Sequence, residues 1–125
     1  MAVKWLDQPE GHDYDAAAEY LSMLAEDATV EATVAALRSG KLLFRKAKDI
    51  LRAARLGLLP ADNPHVKSDL ARVRDGKKLS PILLVRGTAA DPMQIADGYH
   101  RVCASVLTDE NTPIPCRLVS WSTTT

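Results

Sequence analysis

The chain has 125 residues, 46% of them hydrophobic and 26% charged, which fits one folded core and excludes a disordered segment. No apolar run approaches the length that crosses a bilayer. The N-terminus Met1-Ala2-Val3-Lys4-Trp5-Leu6-Asp7 lacks the apolar stretch of a secretory signal, so a cytoplasmic protein without a membrane partner is expected. The formal net charge of zero hides an uneven distribution: residues 1–40 hold two basic and eight acidic side chains, residues 41–86 twelve and four. That basic block would attract the phosphate of a nucleotide or nucleic acid, unless the acidic first segment folds over it.

Helices come first. Asp13 to Asp27 is Ala-rich, with Tyr20, Leu21 and Leu24 at helical spacing and acidic residues near its start that suit the helix dipole. Val30, Val34 and Leu37 repeat at intervals of four and three, which predicts a second helix stopped by Gly40. From Lys41 to Leu56, the residues Leu43, Ala47, Ile50 and Ala54 share one side, while Lys41, Arg45, Lys48, Arg52 and Arg55 line another. This predicts a third helix with a basic face. Residues 1–57 are therefore expected to form a helical extension packed on a domain spanning 58–119.

In that second half, Asp62-Asn63-Pro64 offers capping side chains and a first-turn proline, predicting a helix to Asp75 that stops at Gly76. Ile82-Leu83-Leu84-Val85 reads as a buried strand, Gly87 to Pro92 as a hairpin turn, and Met93 to Ala96 as the returning strand. A helix should begin at Gly98 or Tyr99 and reach Leu107. Behind the turn residues Asn111, Thr112 and Pro113, Ile114 to Val119 closes the fold, and 120–125 is expected to be a flexible tail. The fold class is α+β, a small mixed sheet with packed helices.

Chemical content concentrates in Asp97-Gly98-Tyr99-His100-Arg101. A strand that ends in a glycine turn and opens into a helix leaves backbone N–H groups unpaired, with the positive end of the macrodipole behind them. Gly98 lets an anion approach the main chain, and His100 and Arg101 add donors on the first turn. Surface or capping roles for the pair remain the alternative. Cys103 and Cys116 have neither the number nor the spacing of a disulfide framework or zinc site, so both are expected as buried thiols, and no metal ligands are assigned. There are no paired carboxylates at diagnostic spacing, no nucleophile elbow and no Walker-type loop, which leaves catalysis an open question.

The order Asp62-Asn63-Pro64, helix, Leu79-Ser80-Pro81-Ile82-Leu83-Leu84-Val85, hairpin, Asp97-Gly98-Tyr99-His100-Arg101 and Ile114-Pro115-Cys116-Arg117-Leu118-Val119 resembles the ParB/sulfiredoxin superfamily over about half the chain. The Gly-x-His-Arg string and the Ile-Pro-x-x-Leu-Val ending are most similar to sulfiredoxins. The resemblance implies a nucleotide, ATP or CTP with or without Mg, whose phosphates meet Gly98, His100 and Arg101, flanked by Asp97 and Tyr99. It also implies His65, Ser68 and Arg72 on the preceding helix, spaced so that they share a face.

Tyr99 stands where sulfiredoxins carry their reactive cysteine, and a phenol does not replace a thiolate, so sulfinic acid reduction is not expected. Sequence-specific centromere binding of the ParB kind is likewise not expected, since nothing in the sequence after Val119 would supply the helix-turn-helix and dimerising tail it uses. Three readings stay open. One is a nucleotide-binding domain, as a small phosphotransferase or NTPase. The second is a DNA-binding accessory protein or nuclease that holds phosphates through Lys41, Arg45, Lys48, Arg52 and Arg55. The third is a non-catalytic interaction module.

Overall fold

The computed structural model describes residues 2–122. In chain order its elements are β1 (Lys4–Trp5), α1 (Gly11–Leu21), α2 (Asp27–Ser39), β2 (Leu43–Lys46), α3 (Ala47–Ala54), α4 (Pro64–Arg74), β3 (Lys78–Leu79), β4 (Ile82–Val85), β5 (Gln94–Asp97), α5 (Tyr99–Thr108) and β6 (Pro113–Val119). Four strands form one mixed sheet in the order β2-β6-β4-β5. Strand β6 runs antiparallel to β2 and parallel to β4, and β4 is antiparallel to β5. Strands β1 and β3 make a separate parallel pair.

The sheet is α+β and covered on both faces, which explains why β4 carries four consecutive apolar residues with no polar alternation. All four are fully buried. Successive side chains point to opposite faces. Leu83 and Val85 meet Tyr14, Ala17 and Leu21 of α1 and Val30, Val34 and Leu37 of α2. Ile82 and Leu84 meet Ala47, Ile50 and Ala54 of α3 and Val102 of α5. Helix α4 lies behind α5, joined through Val66, Cys103 and Ala104. Both cysteines are buried free thiols, and burial pushes the Cys116 thiol up to about 11.

Three expectations need correction. The basic-faced helix from Lys41 to Leu56 does not form as one element: residues Leu43–Lys46 are an edge strand, and the helix covers only Ala47–Ala54. Pairing with β6, through Leu43 opposite Cys116 and Arg45 opposite Ile114, outweighs the local helical spacing. The first 57 residues thus supply a strand of the main sheet as well as helices. The first helix ends at Leu21, not Asp27, because Met23 and Leu24 donate to Tyr20 and Leu21 and tighten the last turn; Leu24 is left half exposed. The segment expected as a tail is anchored at its start, where Trp121 packs near α1 and α2 and the Ser122 amide donates to Thr33 Oγ1 at 3.0 Å. Residues 123–125 lie outside the described ones.

Gly40 follows α2, but with extended backbone at φ −70° and not a left-handed cap. The closing role belongs to Arg117. Buried in β6, it donates to the carbonyls of Leu37 and Arg38 at the end of α2. No described helix is long and apolar enough to cross a membrane.

Candidate functional site at the start of α5

Helix α5 opens at Gly98, whose φ of 115° is closed to other residues at low cost. Its first helical bond runs from the Val102 amide to the Gly98 carbonyl, at 3.0 Å. The amides of Tyr99, His100 and Arg101 precede that bond and have no carbonyl within the helix, and Gly98 has no side chain to cap them. Gly98, His100 and Arg101 at this helix start line a polar hollow of about 210 Å³ together with His65, Ser68, Asp69 and Asp97.

The opposite wall is the first turns of α4. Asn63 caps that helix, its Oδ1 accepting from the amides of His65 at 3.1 Å and Val66 at 3.2 Å, and Pro64 fixes the first turn. The cap delivers His65 and Ser68 across from α5. The His65 and His100 rings lie 4.7 Å apart.

Arg101 lines the hollow, yet its guanidinium is also tied to the protein's own carboxylates. It donates to Asp97 Oδ2 at 2.8 Å and to Asp13 Oδ1 of α1 at 3.5 Å. Asp13 is almost fully buried and also accepts from the Ser80 hydroxyl and, at 2.9 Å, from the Glu10 amide. The Arg101 Nε–H is buried and has no acceptor among the described residues. The guanidinium is thus held in place by two carboxylates, with one donor unspent.

These contacts set the protonation states. Burial alone would raise the Asp13 carboxyl, but the Ser80 hydroxyl, the Glu10 amide and the charge of Arg101 hold it below its ordinary value. Burial pushes Asp97 up to about 6 against the pull of Arg101, and Asp13 adds to the rise. Asp69 is also raised by burial, opposed by Arg101, Arg72 and the two histidines. His100 is lowered by burial and by His65.

A pH dependence follows. Between about 4 and 6 the folded protein holds a proton on Asp97 that the unfolded chain has released, so stability from this group rises as pH falls through 6. His100, with its lowered value, works in the opposite direction. The comparison of wild type with Asp97→Asn isolates the carboxyl: between pH 7.5 and 5 the wild type should gain roughly 3–6 °C in melting temperature relative to the variant. Parallel profiles would contradict the assignment.

On the other side of Asp97, Gly98 and His100 lies a second, more apolar hollow of about 430 Å³, which also meets Tyr20, Leu56, Met93, Gln94, Ile95 and Tyr99. It follows β5, the last strand of the sheet. The residues Asp97, Gly98 and His100 form the wall common to both hollows.

Of the residues singled out in the sequence, the structure brings His65, Ser68, Asp97, Gly98, His100 and Arg101 to one hollow. Arg72 does not line the polar hollow; one turn beyond Ser68, it acts on Asp69 only through its charge. Tyr99 turns away, its hydroxyl donating to the Gly57 carbonyl, and it lines the apolar hollow. Asp69, Asp13, Ser80, Tyr20 and Gln94 were not anticipated.

Of the five cations expected on one helical face, Lys41 and Arg45 are not in the helix at all. Arg52 is paired with Asp49 at 3.0 Å, and Arg55 donates to the Ala90 carbonyl at 3.3 Å. Among the described residues, none of Glu19, Glu26 and Glu31 forms an ion pair with the basic block. No group of three or more His, Cys, Asp or Glu side chains among them is arranged to hold a metal ion.

No family model matches the chain, and neither a curated protein nor a solved structure matches it.

Proposed function

We propose that the chain binds a nucleoside triphosphate, ATP or CTP, with its phosphates at the open amides of Tyr99, His100 and Arg101. The observation that carries the reading is an uncapped helix start behind a positive-φ glycine, facing a hollow rimmed by His65, Ser68 and His100. The buried, unpaired Nε–H of Arg101 supports it as a further donor at the same place. The order of motifs similar to the ParB/sulfiredoxin superfamily, which includes this same segment, supports it as well.

Charge makes a demand on this reading. Asp69 and Asp97 line the hollow beside a single arginine, so a bare polyphosphate would meet two carboxylates. A Mg²⁺ ion carried by the phosphates suits that donor set, since Mg²⁺ is commonly held by one or two carboxylates together with phosphate oxygens. Its chemistry there would be charge neutralisation. Asp97, with its carboxyl pushed up to about 6 and its place on the wall between the hollows, suits a role in positioning a hydroxyl or water beside the phosphates, as a small phosphotransferase or NTPase requires.

A thermal-shift screen of ATP, CTP, GTP and ADP with and without Mg²⁺ tests the reading. At a ligand concentration about 100 times its dissociation constant, binding to the folded state adds about 2.7 kcal/mol and raises the melting temperature by several degrees. Mg²⁺ should enlarge the shift and His100→Ala reduce it. A flat response to every nucleotide in both conditions sinks the proposal.

A further inference from the structure

We infer that the outer edge of β2 docks an extended acidic segment of a partner protein, which joins the main sheet as an added strand and brings carboxylates to Lys41, Arg45 and Lys46. No residue of β2 lines either hollow at α5, so the inference stands apart from the nucleotide reading.

Strand β2 ends the order β2-β6-β4-β5 and pairs with β6 alone. Which of its backbone groups face outward follows from the sequence of β6. Phe44 stands opposite Pro115 and Lys46 opposite Pro113. Proline has no N–H, so neither pair can exchange the two bonds of a hydrogen-bonded antiparallel pair. That role falls to Leu43 with Cys116 and Arg45 with Ile114, and the same phase continues where the Ala47 amide donates to the Thr112 carbonyl at 2.9 Å. The amides of Phe44 and Lys46 therefore point away from β6, where the carbonyls of an added strand would meet them.

Side chains define the partner. Phe44 is 61% exposed, and with Val3, Trp5, Thr112 and Pro113 it lines a hollow of about 450 Å³ that can take an apolar side chain of the added strand. Lys41, Arg45, Lys46 and Lys48 are all exposed, and none forms an ion pair among the described residues. Asp109, which also lines the hollow, and Glu110 lie at the Lys46 end, so cations still outnumber carboxylates along the edge. A second copy of the chain would set its own β2 cations against these, and like charges opposite one another are destabilising.

The edge is also guarded. The Arg45 guanidinium donates to the Phe44 carbonyl at 2.9 Å, covering the outward acceptor. An uncharged strand offers that guanidinium nothing in exchange, whereas a carboxylate draws it away and frees the carbonyl for the strand's own amide. Charges that keep an edge from aggregating thus decide which strand enters.

Titration of a short capped peptide of alternating valine and glutamate, followed by backbone amide NMR, tests this. The signals of Phe44 and Lys46 should move saturably while those of α5 stay in place, and a valine-lysine peptide should move neither. Phe44→Pro deletes the outward N–H and the ring but spares the bonds of Leu43 and Arg45 to β6, and should weaken binding at least about tenfold. Phe44→Ala, which keeps the N–H, should weaken it less, and Arg45→Glu should reverse the preference toward the lysine peptide. No saturable change at β2, equal response to both peptides, or an unchanged preference in Arg45→Glu overturns the inference. A concentration-dependent dimer of the wild type that Phe44→Pro disperses would give the edge to a second copy and overturn it as well.

Discussion

Asp13→Ala should cost about 2–4 kcal/mol of folding stability, because it removes from a buried network the one carboxylate that accepts from three donors. The Ser80 hydroxyl loses its acceptor, the Glu10 amide keeps only the longer bond to Ser80 Oγ at 3.3 Å, and Arg101 keeps only Asp97. In a chain of this size that is a fall of roughly 8–15 °C in melting temperature. Asp13→Asn should lose less, since it retains an acceptor for Ser80 while giving up the charge opposite Arg101. The exposed neighbour Asp15 supplies the control, and its alanine variant should stay within about 0.5 kcal/mol of wild type. Denaturant melts of the three variants read this directly. A loss at Asp13 no larger than at Asp15 would mean that α1 is not pinned to α5 through Arg101.

The second large effect is at Gly98. A methyl group there would stand 2.4 Å from Ile82 Cδ1 and 2.9 Å from Arg101 Nη2, on a backbone at φ 115°. Ile82 is fully buried in β4 and has no free space to retreat into. Gly98→Ala should therefore cost about 2–3 kcal/mol from strain and overpacking together. It also moves the α5 amides and displaces Arg101, so nucleotide affinity should fall at least about tenfold, which is about 1.4 kcal/mol. Measuring both in the folded variant separates the two effects: an alanine that binds nucleotide as wild type does would remove the glycine turn from the site.

Local signals carried most of the second half. Asn63-Pro64 and Gly76 bracket α4 because capping and left-handed turns are decided within a few residues, and Gly76 indeed sits at φ 73°. The apolar run of β4 and the glycine before α5 were equally plain. What escaped was set by partners far along the chain. In Lys41 to Leu56, the spacing of Leu43, Ala47, Ile50 and Ala54 serves a helix, but Leu43 also satisfies a strand position, and only β6, some seventy residues away, decides between them.

The site divides in the same way. Gly98 and His100 were legible from the glycine turn that opens a helix, whereas His65 and Ser68 were reached only through the resemblance in motif order. Asp13 was visible only as an acid near a helix start, where it does complete a capping box with Glu10. Its contact with Arg101, eighty-eight residues on, is a product of α1 packing against the sheet. For the same reason Arg101 looked like a free phosphate ligand, whereas its guanidinium is already braced by two carboxylates. Bracing of this kind lowers the entropy lost on binding and leaves the arginine less free to follow a ligand.

The central claim is that the backbone at the start of α5 meets phosphate. Backbone amide NMR spectra of the wild type, recorded while inorganic tripolyphosphate with Mg²⁺ is titrated in, test it most directly. The amide signals of Tyr99, His100 and Arg101 should move together, saturably and further than any others. Movement confined to the basic residues around Arg52, Arg55 and Arg86, with the α5 amides unmoved, would contradict it.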